Sequence, residues 1–497
     1  MFRGIRAFWK DQRGVAMILV AIMLPVLIGF AVLAIDMSRA TSLHNDLQKG
    51  ADAMALASAA ELDGRSDSIT RADRALAALL SNKYQFASGS DVPTVLARAG
   101  VTRRYLRSLP PSDDTAIRVQ DVITDEVNDS KNAQLVEVTV TPVGFDAIFP
   151  VFGSSTSDSF TIGAVAVAGF KQSICETVPI FMCNPFETTT PATSKTIQQA
   201  FAAGDTYSRE FRILKVDSNP GPGNFGLIDN NLTSLRDAIA TGTAGTCYSR
   251  DALTTKTGVT LGQVNAGLNV RFDIYSQSLK KQDRNWQYRP ATNVRKGASK
   301  TSNCNKYDVA TDGSALPLPS GTNYDSSKGM TDKITSQSFW NTYWATNHKN
   351  AAYPNVPAAS HPLRTTTLPA SRYDVYKYEI SHGLVGDKSK GPSNEVGTPS
   401  CFKGDTPTGD PDRRLLNMAI VNCLSDATKI NGHTQLRPDG YASVFLISPI
   451  QKQNKNDDDE SSTGAEKPIS LEIVDVDGPF GNGTLDKALR NEAQLYR

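Results

Sequence analysis

The chain has 497 residues, with 52 Lys and Arg against 51 Asp and Glu, for a formal charge of +1. That length corresponds to roughly two to four domains of ordinary size, or to one large domain with insertions. A hydrophobic fraction of 39% with 21% charged residues excludes wholesale disorder. The near-zero charge excludes a generic nucleic-acid binder, which carries a clear basic excess.

Charge is unevenly placed at the N-terminus. Residues 1–14 hold Arg3, Arg6, Lys10 and Arg13 against Asp11 and read as a basic cytoplasmic tail. Residues 15–35 (VAMILVAIMLPVLIGFAVLAI) carry no charge. A helix of that length spans about 30 Å, the hydrocarbon thickness of a bilayer. Pro25 interrupts it, but spanning helices tolerate such a kink. Basic residues before the run and Asp36 after it place the N-terminus in the cytoplasm and the rest in the periplasm. A cleaved secretory signal has an apolar core of about 7–15 residues and ends in a small-x-small site. This run is longer and continues as helix, so it reads as a retained single-pass anchor in a bacterial inner membrane. Membrane lipid is the partner expected for residues 15–35.

Residues 36–86 are rich in Ala and helix formers and read as a helical stalk that prolongs the membrane helix. Its small residues Gly50, Ala51, Ala53, Ala55 and Ala57 permit close approach of a neighbouring helix, or packing on the protein's own domain. Apolar Ile69, Ala72, Leu76, Leu79 and Leu80 predict a second helix over 68–84. Alternating, β-branched text at 134–141 and 160–168 predicts strands, hence a small α+β domain over 87–172.

Residues 173–497 read as a cysteine-containing, loop-rich periplasmic domain. A Thr/Pro-rich connector occupies 187–197, a short strand signal 207–216, a helix 227–240 and mixed text 264–275. Residues 277–400 are rich in Asn, Thr, Ser, Gly and Pro and predict a long loop-rich insertion. Strand character returns at 415–421, 442–450 and 469–476, while 454–466 reads as a solvated hairpin tip. The expected fold class is therefore α+β: one N-terminal transmembrane helix continuing into a long helix, then a disulfide-stapled, loop-rich exported α+β region.

All six cysteines, Cys175, Cys183, Cys247, Cys304, Cys401 and Cys423, lie beyond the membrane run, and none forms a C-x-x-C pair. In an oxidising compartment they predict up to three disulfides. Cys175 and Cys183 close the shortest loop and are the natural local staple. The spacings do not suit zinc.

Catalytic signals are missing. His44, His348, His361, His382 and His433 have no metal-ligand spacing and read as surface or loop residues. No H-E-x-x-H, G-x-S-x-G or phosphate-binding G-x-x-x-x-G-K-[ST] occurs. Gly221, Gly223 and Gly226 match G-x-G-x-x-G, but Pro222 removes a loop donor and the parallel βαβ pattern is absent. Asp475 and Asp477 resemble the opening of a calcium loop, yet Pro479 falls on its third ligand position, so a turn after a strand is the better reading. An adhesion-type D-x-S-x-S is absent too. The expectation is a protein that is not an enzyme and has no cofactor or metal.

Lys280, Lys281, Arg284 and Arg289 form a basic stretch with Arg295, Lys296 and Lys300, interleaved with Trp286 and Tyr288. A merely solvated loop is the default reading; for a binding stretch outside the membrane the sensible partner is an anionic envelope glycan rather than nucleic acid. Phe339, Trp340, Tyr343 and Trp344 at helical spacing read as core.

The opening resembles the TadE/TadG group of Tad-type (Flp) pilus assembly proteins. The resemblance rests on Arg13-Gly14, the run with Pro25, Ala34-Ile35-Asp36, Leu47-Gln48, Ala51-Asp52-Ala53 and Ala55-Leu56-Ala57. Cys183-Asn184-Pro185-Phe186, the Gly223-Asn224-Phe225-Gly226 turn, Gly267-Leu268-Asn269, Arg271-Phe272-Asp273, Arg413-Arg414-Leu415 and Asn422-Cys423 are similar to longer members. The resemblance implies a membrane-anchored accessory component working with other pilus assembly components. It implies an uncleaved one, because Leu19 stands where a prepilin has Glu five residues after the Gly.

Overall fold

The computed structural model describes residues 13–64, 66–79, 83–84, 94–110, 112, 114–147, 159–190, 192–216, 219–229, 234–242, 245, 247–250, 252–256, 261–298, 304–306, 308–349, 351–360, 368–386, 395–405, 411–430, 432–450, 468–478 and 480–496. The basic tail 1–12, Lys300, His361 and the hairpin tip at 454–466 lie outside them. The chain divides into two compact units: residues up to Lys171 together with Asn491–Arg497, and Gln172–Arg490.

The first unit starts with helix α1, Arg13–Ala59, 47 residues containing Pro25. Its first half is exposed on almost every side from Met17 to Ile35. Its second half changes character. Leu43, Leu47, Ala51, Met54, Ala55 and Ala59 recur every three or four residues and are all buried. That spacing is the apolar stripe of a helix lying on a core. A second helix, α2 (Ser68–Ala78), adds Ile69, Ala72 and Leu76. It stops short of the expected residue 84, because Lys83–Tyr84 pairs as a strand with Thr94–Val95.

Both helices share their core with an antiparallel sheet of β1 (Val101–Leu106), β2 (Leu135–Asp146), β3 (Ser159–Ile174) and the C-terminal strand Leu489–Leu495. Val136, Val138 and Val140 alternate inward, as do Ala164, Ala166 and Ala168. Alanines on both helix and strand leave little bulk between them, so the backbones can approach closely. Pro142 cannot donate to the ladder, and the register slips between Val140 and Val143 to bulge it out. Arg103 joins sheet to helix through Asp73 (2.7 and 2.6 Å) and also meets Glu126. Residues 36–59 are thus a core helix of this unit rather than part of a separate stalk, and the last strand returns to it from the far end of the chain.

In the second unit, β4 (Thr177–Cys183) is buried at all seven positions. Helix α3 (Ile197–Ala202) begins with a capping box, in which Thr196 accepts from the Gln199 N–H and Gln199 returns the bond. Then come β5 (Phe211–Lys215), β6 (Asn224–Ile228), α4 (Leu235–Thr241), β7 (Tyr248–Ser249), β8 (Leu253–Lys256) and α5 (Leu261–Asn269). The expected helix 227–240 is therefore a strand end followed by a helix. Among the described residues of the loop-rich 277–400 lie the α-helices α6 (Asn341–Asn347) and α7 (Arg372–Ser381), the latter capped by Ser371 and Asp374. Strands β9 (Leu415–Val421), β10 (Gln435–Leu436), β11 (Gly440–Leu446) and β12 (Ile469–Val476) complete the sheet.

The strand order is β10-β8-β6-β4-β9-β11-β12-β5, and β5 also pairs with β6. The run from β6 to β5 therefore closes into a ring. The β4–β9 and β5–β6 pairs are parallel and the others antiparallel. Closure needs Gly226, which lies opposite Phe181 in register: a Cβ there would sit 2.3 Å from the Phe181 ring. One apolar core gathers Ile180, Met182, Phe211, Phe225, Met418 and Val444 with α3, α4 and α5; another holds Trp340, Tyr343, Trp344, Tyr376 and Phe445. The fold is α+β, with a long apolar N-terminal helix and three disulfides.

Candidate functional site

Helix α1 changes environment at Asp36, where the bare apolar half meets the packed half. Asp36 is buried and takes an ion pair from Arg39 at 3.3 Å, while the Arg39 guanidinium lies 5.2 Å from the centre of the Phe145 ring. About two turns beyond Asp36, His44 Nδ1 lies 3.2 Å from the Gly163 carbonyl, which can only accept, so the proton of that bond is on Nδ1. Gln48 Nε2 donates to the Val165 carbonyl at 3.0 Å and to Asp52 at 2.7 Å. Polar side chains thus fasten the helix along β3 while Leu47, Ala51 and Ala55 fill the core beneath. Of the helix-packing candidates, Gly50, Ala51 and Ala55 are buried within this unit and Ala53 and Ala57 are half-buried. Burial in this unit's own core, shared by the second helix and the sheet, accounts for the small residues at Ala51 and Ala55.

The disulfides are Cys175–Cys247, Cys183–Cys423 and Cys304–Cys401. The expected Cys175–Cys183 staple is wrong. Strand β4 carries Cys183 about 20 Å along the sheet at 3.3 Å per residue, whereas a bridge needs Cα atoms within about 7 Å. Register sets the real partners. Ile174 pairs with Tyr248, so Cys175 faces Cys247. Val421 pairs with Cys183 in the parallel β4–β9 ladder, and Cys423 lies just beyond it.

The motif residues of this unit act as joints. Asn184 Nδ2 donates to the Asn422 side chain and to the Lys195 carbonyl, and Asp439 accepts from the Ile197 N–H and Asn422. Asp273 accepts three backbone N–H groups, from Ser400, Cys401 and Phe402; burial still pushes its pKa up. Arg271 and Arg413 donate to the carbonyls of Ile239, Ala240 and Thr241, capping the C-terminus of α4 with positive charge. Arg414 is enclosed by the rings of Phe272, Tyr376 and Phe445 and donates to the Leu446 and Ile447 carbonyls. Burial pushes its pKa down to about 10, so it stays charged.

Sequence reasoning missed a buried polar cluster centred on Glu379. This carboxylate accepts from Asn293 (2.6 Å), Tyr343 (2.8 Å) and His348 (2.9 Å), with Arg295 at 3.5 Å. Burial raises its pKa, but Arg295 and His348 outweigh that and hold it below the ordinary value. His348 is buried here rather than on the surface, and Arg295 likewise leaves the basic stretch for the interior. Lys296 does the same, beside Glu395. The only sequence signal was the spacing of aromatics around His348.

The remainder of the basic stretch is on the surface. Lys280, Lys281, Arg284 and Trp286 are exposed and Arg289 is half-buried. Gly221 and Gly223 lead into β6, a strand that contains Gly226, so no helix N-terminus follows to receive a pyrophosphate. Asp475 accepts from the N–H groups of Val476, Asn482, Thr484 and Leu485 and closes the turn after β12. Among the described residues no group of three His, Cys, Asp or Glu side chains could hold a metal ion.

Among the described residues one helix is long and apolar enough to cross a membrane, spanning Met17–Ala59, and the apolar part of it is wholly uncovered. No curated protein and no solved structure matches the chain. Residues 14–61, over the membrane-length helix and its docked continuation, match the family described as putative Flp pilus-assembly TadE/G-like.

Proposed function

We propose that this protein is a structural, non-enzymatic component anchored in the inner membrane, which supports assembly or anchoring of a Tad-type (Flp) pilus from the periplasm. The observation that carries this reading is the coincidence of the TadE/G-like segment 14–61 with helix α1. Its bare half suits lipid, and its packed half makes the anchor continuous with a folded unit. Any pull on that unit is therefore passed to the membrane through helix rather than through a slack linker. Residues 15–35 would span once, with the basic N-terminus in the cytoplasm. The disulfides suit an oxidising compartment. Its partners would be other pilus components in the membrane or periplasm.

The test is a count of surface pili by electron microscopy in a clean deletion strain. Pili lost on deletion and restored by the gene support the reading; normal pili refute it. Exposure of Trp286 favours a second reading, an envelope- or surface-binding module that pilus assembly does not require. Alanine at Lys280, Lys281, Arg284 and Trp286 should then abolish adhesion and spare pili. Removing the whole segment is not a clean test, because Leu279, Tyr288, Val294 and Arg295 are buried.

A further inference from the structure

We propose that the turn carrying Trp286 is a docking platform for an acidic polysaccharide, a partner class that gives the second reading its chemistry. Trp286 opens a single helical turn, Trp286–Tyr288, and the residue is 47% exposed. Arg289 lies 4.4 Å from the ring centre and donates to the Trp286 carbonyl at 3.2 Å, so one face of the indole is held by a cation. The turn itself is pinned. Tyr275 donates to the Tyr288 carbonyl at 3.0 Å, Tyr288 donates to Asp237 at 3.1 Å, and Asn285 accepts from the Gln287 N–H at 3.1 Å. A large aromatic ring held out toward solvent on a fixed turn loses little freedom when a ligand stacks on it.

Charge completes the platform. Lys280, Lys281 and Arg284 are exposed and form no ion pair among the described residues. The acid of this segment, Asp283, is already engaged by Lys403 at 2.6 Å. Sugar rings offer a C–H face to an indole, and uronate or sulfate groups spaced along a polymer suit scattered cations. A bilayer surface fits less well. Leu279 and Tyr288 point inward, which leaves a single half-exposed Trp as apolar area to insert.

The inference rests on the reading that this unit faces the envelope, but its test needs no pili. The full chain in neutral detergent is run through native gels containing polygalacturonate or dextran. Polygalacturonate should retard it and dextran should not. W286A should weaken retardation at least tenfold, W286F should recover part of it, and K280A/K281A/R284A should abolish it. Unchanged retardation of W286A would mean non-specific polyanion binding and would overturn the proposal, as would equal retardation by dextran. So would fluorescence in nanodiscs that W286F removes and brominated phosphatidylglycerol quenches, since that places the Trp in lipid.

Discussion

Removing the Cys183–Cys423 bridge tests the topology most directly. The bridge joins the ends of two neighbouring parallel strands across 240 residues of chain, and both sulfurs lie in a core with Phe181, Val421 and Tyr441. With the other two bridges intact, the shortest covalent path between the two cysteines is roughly 90 residues, for which chain entropy gives about 4–5 kcal/mol of stabilisation. Spread over the second unit, Gln172–Arg490, that corresponds to a midpoint shift of about 7 °C. C183A/C423A, purified full-length in neutral detergent, should melt lower by that amount when followed by circular dichroism. Peptide mapping without reductant should recover Cys175–Cys247 and Cys304–Cys401 unchanged. A wild-type peptide linking Cys175 to Cys183 would refute the register reasoning. A midpoint shift below about 2 °C, with the other bridges intact, would refute the entropic account.

Leu47→Ala removes a fully buried side chain between α1 and the sheet and should cost about 2–5 kcal/mol, read as faster hydrogen exchange in β2 and β3; unchanged protection there would show that the helix does not depend on this contact. Gly226→Ala should cost about 1–3 kcal/mol by forcing Phe181 aside, and Phe181→Leu in the same chain should recover part of it, both measured by denaturant unfolding. Glu379 has a folded-state pKa below its ordinary 4.5, so its stabilising contribution is complete above that value and is lost as pH falls through the depressed one. Glu379→Gln should therefore lower the melting midpoint at neutral pH and flatten its decline in acid; an acid limb steeper than that of wild type would contradict this. Alkaline phosphatase fused after Asp63 should be active in cells, and an inactive fusion would reverse the proposed orientation.

How much was legible in the sequence differs between the two units. The N-terminal half of α1 announces itself through 21 uncharged residues, because transfer to lipid depends on composition and length alone. Strands β9 and β12 were readable at their observed bounds, because apolar residues fill most positions of each, broken only by Asn417 in the first and by Ser470, Glu472 and Asp475 in the second. The segment 277–400 was not. Its helices α6 and α7 are short, rich in Tyr and Trp, and held by tertiary contacts with β11 and β12 rather than by intrinsic propensity. His348 looked like a loop residue because its partner Glu379 lies on another helix.

The sequence by itself determined the membrane-length apolar run, the α+β class, the six cysteines available for bridging, and the TadE/G-like segment, all of which are local or compositional properties. Only the tertiary structure decided which cysteines pair, where Ala51 and Ala55 are buried, and how Glu379, Arg295 and His348 meet. Each of those depends on strand register or on chain segments far apart in sequence. Such contacts are fixed when the cores close, and no pattern of neighbouring residues encodes them.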